Sequence, residues 1–136
     1  MDVTSPSYAE GRILDFEGEE HIATDLLQTF PYEGPRQKIL YETREFSAVC
    51  PYSGLPDYAC LSVEYIPAAT IVELKSLKYY LTSFRNVGIL QEHAVNRLLR
   101  DLVAILDPRA MLIEAHYNER GGLRTMASVK YERQLS

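Results

Sequence analysis

The sequence predicts an α+β domain in the order ββααββ, a four-stranded antiparallel sheet with two antiparallel helices on one face. Three observations carry that expectation. Leu61, Val63 and Tyr65 alternate with Cys60, Ser62 and Glu64, the period of two that a half-buried strand requires. Two consecutive stretches, about Leu74 to Arg85 and about Gln91 to Leu106, gather their apolar residues on single helical stripes. Two further alternating segments flank Gly121-Gly122 as the arms of a hairpin.

Length and composition fit this class. A chain of 136 residues matches one compact domain, and 46% hydrophobic with 24% charged residues is close to the globular average. Lys plus Arg number 14 against 19 Asp plus Glu, a net charge of -5, which argues against broad binding to nucleic acid or to an anionic membrane surface. No apolar run approaches the ~20 residues that span a bilayer, and Met1 to Arg12 lacks the basic start and apolar centre of a signal peptide. A cytoplasmic location is expected. Cys50 and Cys60 do not amount to a disulfide framework, so both are expected as thiols.

Taken in order, residues 1–24 are polar and aperiodic and read as an extended or partly ordered lead-in, with the single domain at 25–136. Asp25 to Pro31 is a short apolar turn of chain, and Gly34-Pro35 ends it before a strand from about Gln37 to Val49. After the second strand, Ile66 to Ala69 breaks the alternation and Ile71-Val72-Glu73 leads into the first helix. That helix carries Leu74, Leu77, Leu81 and Phe84 on one stripe, Lys75, Lys78 and Tyr79 on the other, and Gly88 just past its expected end. The second helix carries Val95, Leu98, Leu99, Leu102 and Leu106 on one face and stops at Asp107-Pro108. Ala110 to Tyr117 and Leu123 to Tyr131 form the last two strands.

The stretch with most chemical content is Cys50-Pro-Tyr-Ser-Gly-Leu-Pro-Asp57. Two prolines and a glycine restrict its backbone, and it joins two strands. A thiol becomes a nucleophile as its thiolate, and a neighbouring carboxyl can deliver the proton that addition requires. The same composition is also ordinary turn chemistry around a cysteine, a residue type often buried.

Glu73-Leu-Lys-Ser-Leu-Lys-Tyr-Tyr80 resembles the signature of the NADPH-dependent 7-cyano-7-deazaguanine reductases, the nitrile reductases of queuosine biosynthesis. The Cys50 to Asp57 loop, Ser83-Phe84-Arg85-Asn86 and Arg120-Gly121-Gly122 are similar to that family's other motifs in order and spacing, and the resemblance runs from about Leu26 to Val129. It implies the tunnelling fold, in its short single-module form. It also implies that Cys50 adds to the nitrile carbon to give a covalent thioimide, that Asp57 is the general acid, and that two hydrides from NADPH complete reduction to the amine. Asp57 must then be protonated at the moment of addition, so burial or a negative neighbour is expected to raise its pKa.

The resemblance further places substrate contacts at Val72, Glu73, Leu74, Gln91 and Glu92, with Glu92 accepting from the paired N–H groups of a deazaguanine edge. It places cofactor contacts at Lys75, Ser76, Lys78 and Arg120. Taken without it, Glu92 reads as a carboxylate favoured at a helix N-terminus, the two lysines as a solvated face, and Arg-Gly-Gly as a tight hairpin. One position departs from the family pattern. The residue before the anchoring glutamate is usually histidine, whereas here it is Gln91, and His93 follows Glu92. A shift of two positions turns a helical side chain by about 200°, so His93 cannot simply take over.

Two other readings of the same residues remain open at this level. One is a nucleobase-binding module without turnover. The other is an amidinotransferase-like enzyme acting on the nitrile within tRNA, which the acidic balance and the Glu73 to Tyr80 signature disfavour. No metal is expected, since Cys50, Cys60, His93 and His116 lack close ligand spacing. A four-stranded sheet has two edges to cover, and the family resemblance implies a ring-forming homo-oligomer, a pentamer or decamer with active sites at its interfaces.

Overall fold

The structure, a computed structural model, describes residues 15–134. The expectation of a lead-in over residues 1–14 lies outside them. In chain order the strands and helices are β1 (Thr29–Pro31), β2 (Ile39–Val49), β3 (Pro56–Ile66), β4 (Thr70–Val72), α1 (Leu74–Thr82), α2 (Gln91–Leu106), β5 (Ala110–Tyr117) and β6 (Met126–Glu132). The ββααββ frame is present, with a small extra sheet beside it.

The main sheet has the order β2-β3-β5-β6 and every neighbouring pair is antiparallel. Along β3 the alternation assigns the faces as its sequence requires. Ala59, Leu61, Val63 and Tyr65 are buried, whereas Cys60 is exposed on the opposite face, across from His116 in the β5 register. The helices cover the buried face: Leu77 and Tyr80 of α1 and Val95, Leu98, Leu102 and Leu106 of α2 join one cluster with Met111, Ile113 and Ala115 of β5. Burial of each valine, leucine, isoleucine or methionine among them is worth roughly 1.5–3 kcal/mol.

The connection from β2 to the helices fixes the end of the sheet where Cys50 lies. A register irregularity between Thr43 and Phe46 leaves Phe46, Ser47, Ala48 and Val49 all buried. Phe46 then packs on Phe84 at 5.3 Å between ring centroids, and Phe84 on Tyr80 at 5.4 Å, clamping β2 to the end of α1. Beyond α1 the chain runs alongside β2: Val49 N–H donates to Val87 O over 2.9 Å and Ile89 N–H to Val49 O over 3.0 Å.

Three local expectations need correction. Asp25 to Pro31 and the stretch before α1 are not merely irregular, because Thr29, Phe30 and Pro31 pair with Val72, Ile71 and Thr70 as a two-stranded sheet. Three-residue strands carry too little alternation to announce themselves. Helix α1 ends at Thr82 and not near Arg85. Gly88 consequently does not cap it in a left-handed conformation. It sits between Val49 and Glu17, where a Cβ would meet the Phe16 ring at 2.4 Å. The left-handed turn after α2 falls instead to Asp107, with φ 41°, whose carboxylate pairs with Arg133 at 2.9 Å.

Residues from the lead-in pack on the domain. Ile22 is in the core, and Thr24 and Glu19 meet Arg97. Buried Asp101 is the hub of this corner. It accepts from Tyr80 Oη at 2.7 Å, Arg97 Nε at 2.8 Å and Thr24 Oγ1 at 3.1 Å, so its charge is fully partnered.

Candidate active site

Cys50 is the first residue after β2 and Asp57 the second residue of β3, so the connecting turn presents both at one end of the sheet. The turn is closed on itself. Cys50 N–H donates to Leu55 O at 2.9 Å, Gly54 N–H to Cys50 O at 2.8 Å, and Gly54 has φ 70°, a value glycine adopts without cost. Cys50 is half-buried. Pro51 and Tyr52 line a cleft of about 390 Å³ together with Leu90 and His93, which brings the loop against the first turn of α2. The positive end of that helix favours negative charge there.

Asp57 is 7% exposed and paired in register with Ala48, so its carboxyl points into the covered face. Burial raises its pKa above the ordinary carboxylate value. The Arg120 guanidinium pulls in the other direction, the Glu92 carboxylate raises it further, and the Gln91 side chain favours the charged form. The net direction is upward, as a general acid needs. Arg120 comes from the β5–β6 turn, where Gly121 and Gly122 have φ 57° and 80°; its Nη1 stands 3.5 Å from Asp57 Oδ1 and its Nη2 donates to Pro56 O.

Tyr117, the last residue of β5, is a member of this group that sequence reasoning missed. It is 2% exposed and its hydroxyl donates to Gln91 O over 3.1 Å. Burial, then the carboxylates of Asp57 and Glu92, hold that hydroxyl protonated far above its usual range. The available signal was its position: 111, 113, 115 and 117 are the inward residues of β5, and the last of them reaches the end of the sheet that carries Cys50.

The other expected site residues gather at the start of α1. Glu73 is its N-cap, and its carboxylate accepts from Ser76 N–H at 3.1 Å and from Lys75 N–H. The small sheet holds this end in place, with Glu73 N–H donating to Gln28 O at 2.8 Å and buried Val72 donating its N–H to Tyr65 Oη at 3.1 Å. Ser76 is 3% exposed and its hydroxyl is engaged twice, donating to Glu73 O at 2.7 Å and accepting from Gln28 N–H at 3.0 Å. Its proton is committed to the fold and one acceptor lone pair remains. Leu74, Lys75 and Lys78 are exposed, and Leu74 and Lys78 border a groove of about 430 Å³ between α1 and β2.

Two groups of residues result. Cys50, Asp57, Gln91, Glu92, Tyr117 and Arg120 form one, and Val72 to Lys78 the other; among the described residues no hydrogen bond or ion pair joins them. The first can add a thiol to an electrophilic carbon and protonate the atom beside it. The second, with two ammonium groups one helical turn apart, has the donor chemistry for a phosphate-bearing cofactor. Among the described residues, no cluster of three or more His, Cys, Asp or Glu has a metal-holding arrangement.

The architecture is that of a tunnelling-fold protein with a thiol and a carboxyl at one end of its sheet. The crystal structure of the archaeosine synthase QueF-Like in the apo form superposes on 76% of this chain and 100% of that one, with a TM-score of 0.68 and 24% identity, a likeness of fold. A profile of the QueF-like protein family matches residues 56–136. The NADPH-dependent 7-cyano-7-deazaguanine reductase of Caldicellulosiruptor bescii is 53% identical over 95% of this chain and 99% of its own length. Its counterparts in Thermoanaerobacter pseudethanolicus and Thermotoga maritima are 53% and 52% identical, over 93% and 86% of this chain and 96% and 86% of their own lengths. The chain belongs to the NADPH-dependent 7-cyano-7-deazaguanine reductase family.

Proposed function

We propose that this protein reduces the nitrile of 7-cyano-7-deazaguanine to the aminomethyl group with NADPH. The observation that carries the reading is the pairing, at one end of the sheet, of a half-buried thiol with a buried carboxyl whose surroundings raise its pKa. Cys50 thiolate attacks the nitrile carbon, a carbon–sulfur bond forms as one carbon–nitrogen π bond breaks, and Asp57 gives its proton to the nitrogen. The product is a thioimide, and covalent capture divides a hard reduction into easier steps. Two NADPH, bound in turn, would each supply one hydride; between the two additions the carbon–sulfur bond breaks and returns Cys50 as its thiolate, and protons taken up at nitrogen complete the amine.

Glu92, exposed in the first turn of α2, accepts from the adjacent N–H groups of the deazaguanine edge, and Gln91 beside it adds a neutral donor and acceptor. Val72, Glu73 and Leu74 supply the remaining substrate contacts. Lys75, Lys78 and Arg120 meet the cofactor phosphates, with Ser76 holding the backbone from which the lysines project. The separation of the two groups within one chain supports a homo-oligomer in which neighbouring copies complete each site, a pentamer or a pair of pentamers closed through the free edges of β2 and β6. The substrate is a free small molecule, with no direct contact to nucleic acid, and the setting is the cytoplasm. Among the described residues no helix is long and apolar enough to cross a membrane.

The test is stoichiometry. With 7-cyano-7-deazaguanine as substrate, two NADPH are expected to be oxidised for each amine formed. Consumption of the nitrile without NADPH oxidation overturns the reductase reading in favour of an amidinotransferase-like reaction, and binding without consumption reduces the protein to a nucleobase-binding module.

A further inference from the structure

Arg120 holds both halves of the peptide that begins β3: its Nη2 donates to Pro56 O, and its Nη1 stands 3.5 Å from the Asp57 carboxylate. The two partners differ in accessibility. Asp57 is 9% exposed at its side chain whereas Arg120 is 46% exposed, so the cation can leave for solvent or for an incoming anion while the carboxyl stays where the β2–β3 register puts it. Its turn gives it room, since a Cβ at Gly121 or Gly122 would meet nothing within 4 Å.

We propose that Arg120 is the positioning residue that governs proton uptake by Asp57: docked, it opposes protonation of the carboxylate, and drawn off by a phosphate it leaves Asp57 readier to become the acid. The groups facing Asp57 make the sense of the change unambiguous. From α2 come the Glu92 carboxylate and the neutral Gln91 side chain, and from β5 the protonated Tyr117 hydroxyl. Arg120 is the sole cation acting on the carboxyl within this group, so its withdrawal leaves burial and Glu92 in control, and both favour the neutral acid. Phosphate binding and protonation of Asp57 are therefore coupled, and by linkage the coupling acts in both directions. This rests on the reductase reading for its use, since it loads the acid only when a phosphate-bearing cofactor has arrived, but its test does not require turnover.

Two measurements on the full chain decide it. The Asp57 carboxyl is titrated by carbon-13 NMR of the labelled protein; Arg120→Gln is expected to raise its midpoint by about one pH unit, tenfold in proton affinity, and Arg120→Lys to restore most of the difference. Binding of adenosine 2′,5′-bisphosphate is then followed by calorimetry at about pH 5.5 in two buffers of different ionisation enthalpy, above the ordinary carboxylate range. Wild type is expected to take up a proton on binding, and Arg120→Gln and Asp57→Asn to take up none. An unchanged Asp57 midpoint in Arg120→Gln, or no binding or no proton uptake by wild type, overturns the proposal. Failure of the reductase reading is seen separately, as an absence of NADPH oxidation with the nitrile.

Discussion

The Tyr117 hydroxyl donates to the backbone carbonyl of Gln91 across 3.1 Å, tying the end of β5 to the first turn of α2. That bond joins the elements that carry Asp57 and Glu92, because β3 and β5 are locked in register with Ala59 opposite Tyr117. Tyr117→Phe keeps the buried ring and removes the tie. Loss of the bond is expected to cost about 1 kcal/mol of stability. It should also raise the KM for the nitrile more than it lowers kcat, because Glu92, the proposed substrate anchor, moves while Cys50 does not. Steady-state kinetics beside thermal denaturation checks both.

Asp57 carries a cost to stability that follows from its burial. Its folded pKa lies above the unfolded reference of 3.8, so the folded state binds the proton more tightly. The stability linked to that proton is fully present below the unfolded pKa and is lost as pH rises through the folded value. Asp57→Asn cannot ionise. It is expected to melt above wild type at pH 7 and to lose that advantage near pH 3.5, while turnover falls by roughly 100-fold or more. Melting curves across pH read the first effect and initial rates the second.

Glu73 has a structural duty that separates from any duty toward substrate. As the N-cap of α1 it satisfies two backbone donors, and Glu73→Ala is expected to cost about 1 kcal/mol. Glu73→Ser can cap the helix again but cannot reach a ligand. Recovered stability with a raised KM for the nitrile is the expected pattern, measured on both variants.

Ser76→Ala removes the acceptor of Gln28 N–H and the donor to Glu73 O. A buried donor left unpartnered costs about 1–3 kcal/mol. Stability should fall by that order while the KM for NADPH stays within about twofold in the surviving fold, and denaturant unfolding with cofactor titration tests the pair of statements. Lys78→Ala should do the reverse, leaving stability within about 0.5 kcal/mol and weakening NADPH.

Much of this was legible in the chain because its strong signals agree with one another. The alternation from Cys60 to Tyr65 named the buried face of β3, and the stripe from Val95 to Leu106 placed α2 over the sheet. The Cys50 to Asp57 turn, taken by itself, read equally as ordinary turn chemistry, and the family resemblance is what marked it as a candidate site. What escaped reading depends on contacts between distant residues. Strands β1 and β4 are only three residues each, and the role of Gly88 exists only because Phe16 arrives from the other end of the chain. Tyr117 looked like one more inward strand residue, and nothing local in the sequence says that a carbonyl of α2 lies beside its hydroxyl. Ser76 lies within the family signature, but its hydroxyl serves the fold, which the motif alone does not reveal.

The central claim is that Cys50 forms a covalent bond to the substrate nitrile, and intact mass measures it most directly. Protein incubated with 7-cyano-7-deazaguanine and no NADPH is expected to gain the full mass of the nitrile, since addition expels no leaving group, and Cys50→Ala is expected to gain nothing. Equal adducts on both proteins, or none on wild type while NADPH is still oxidised, would contradict it.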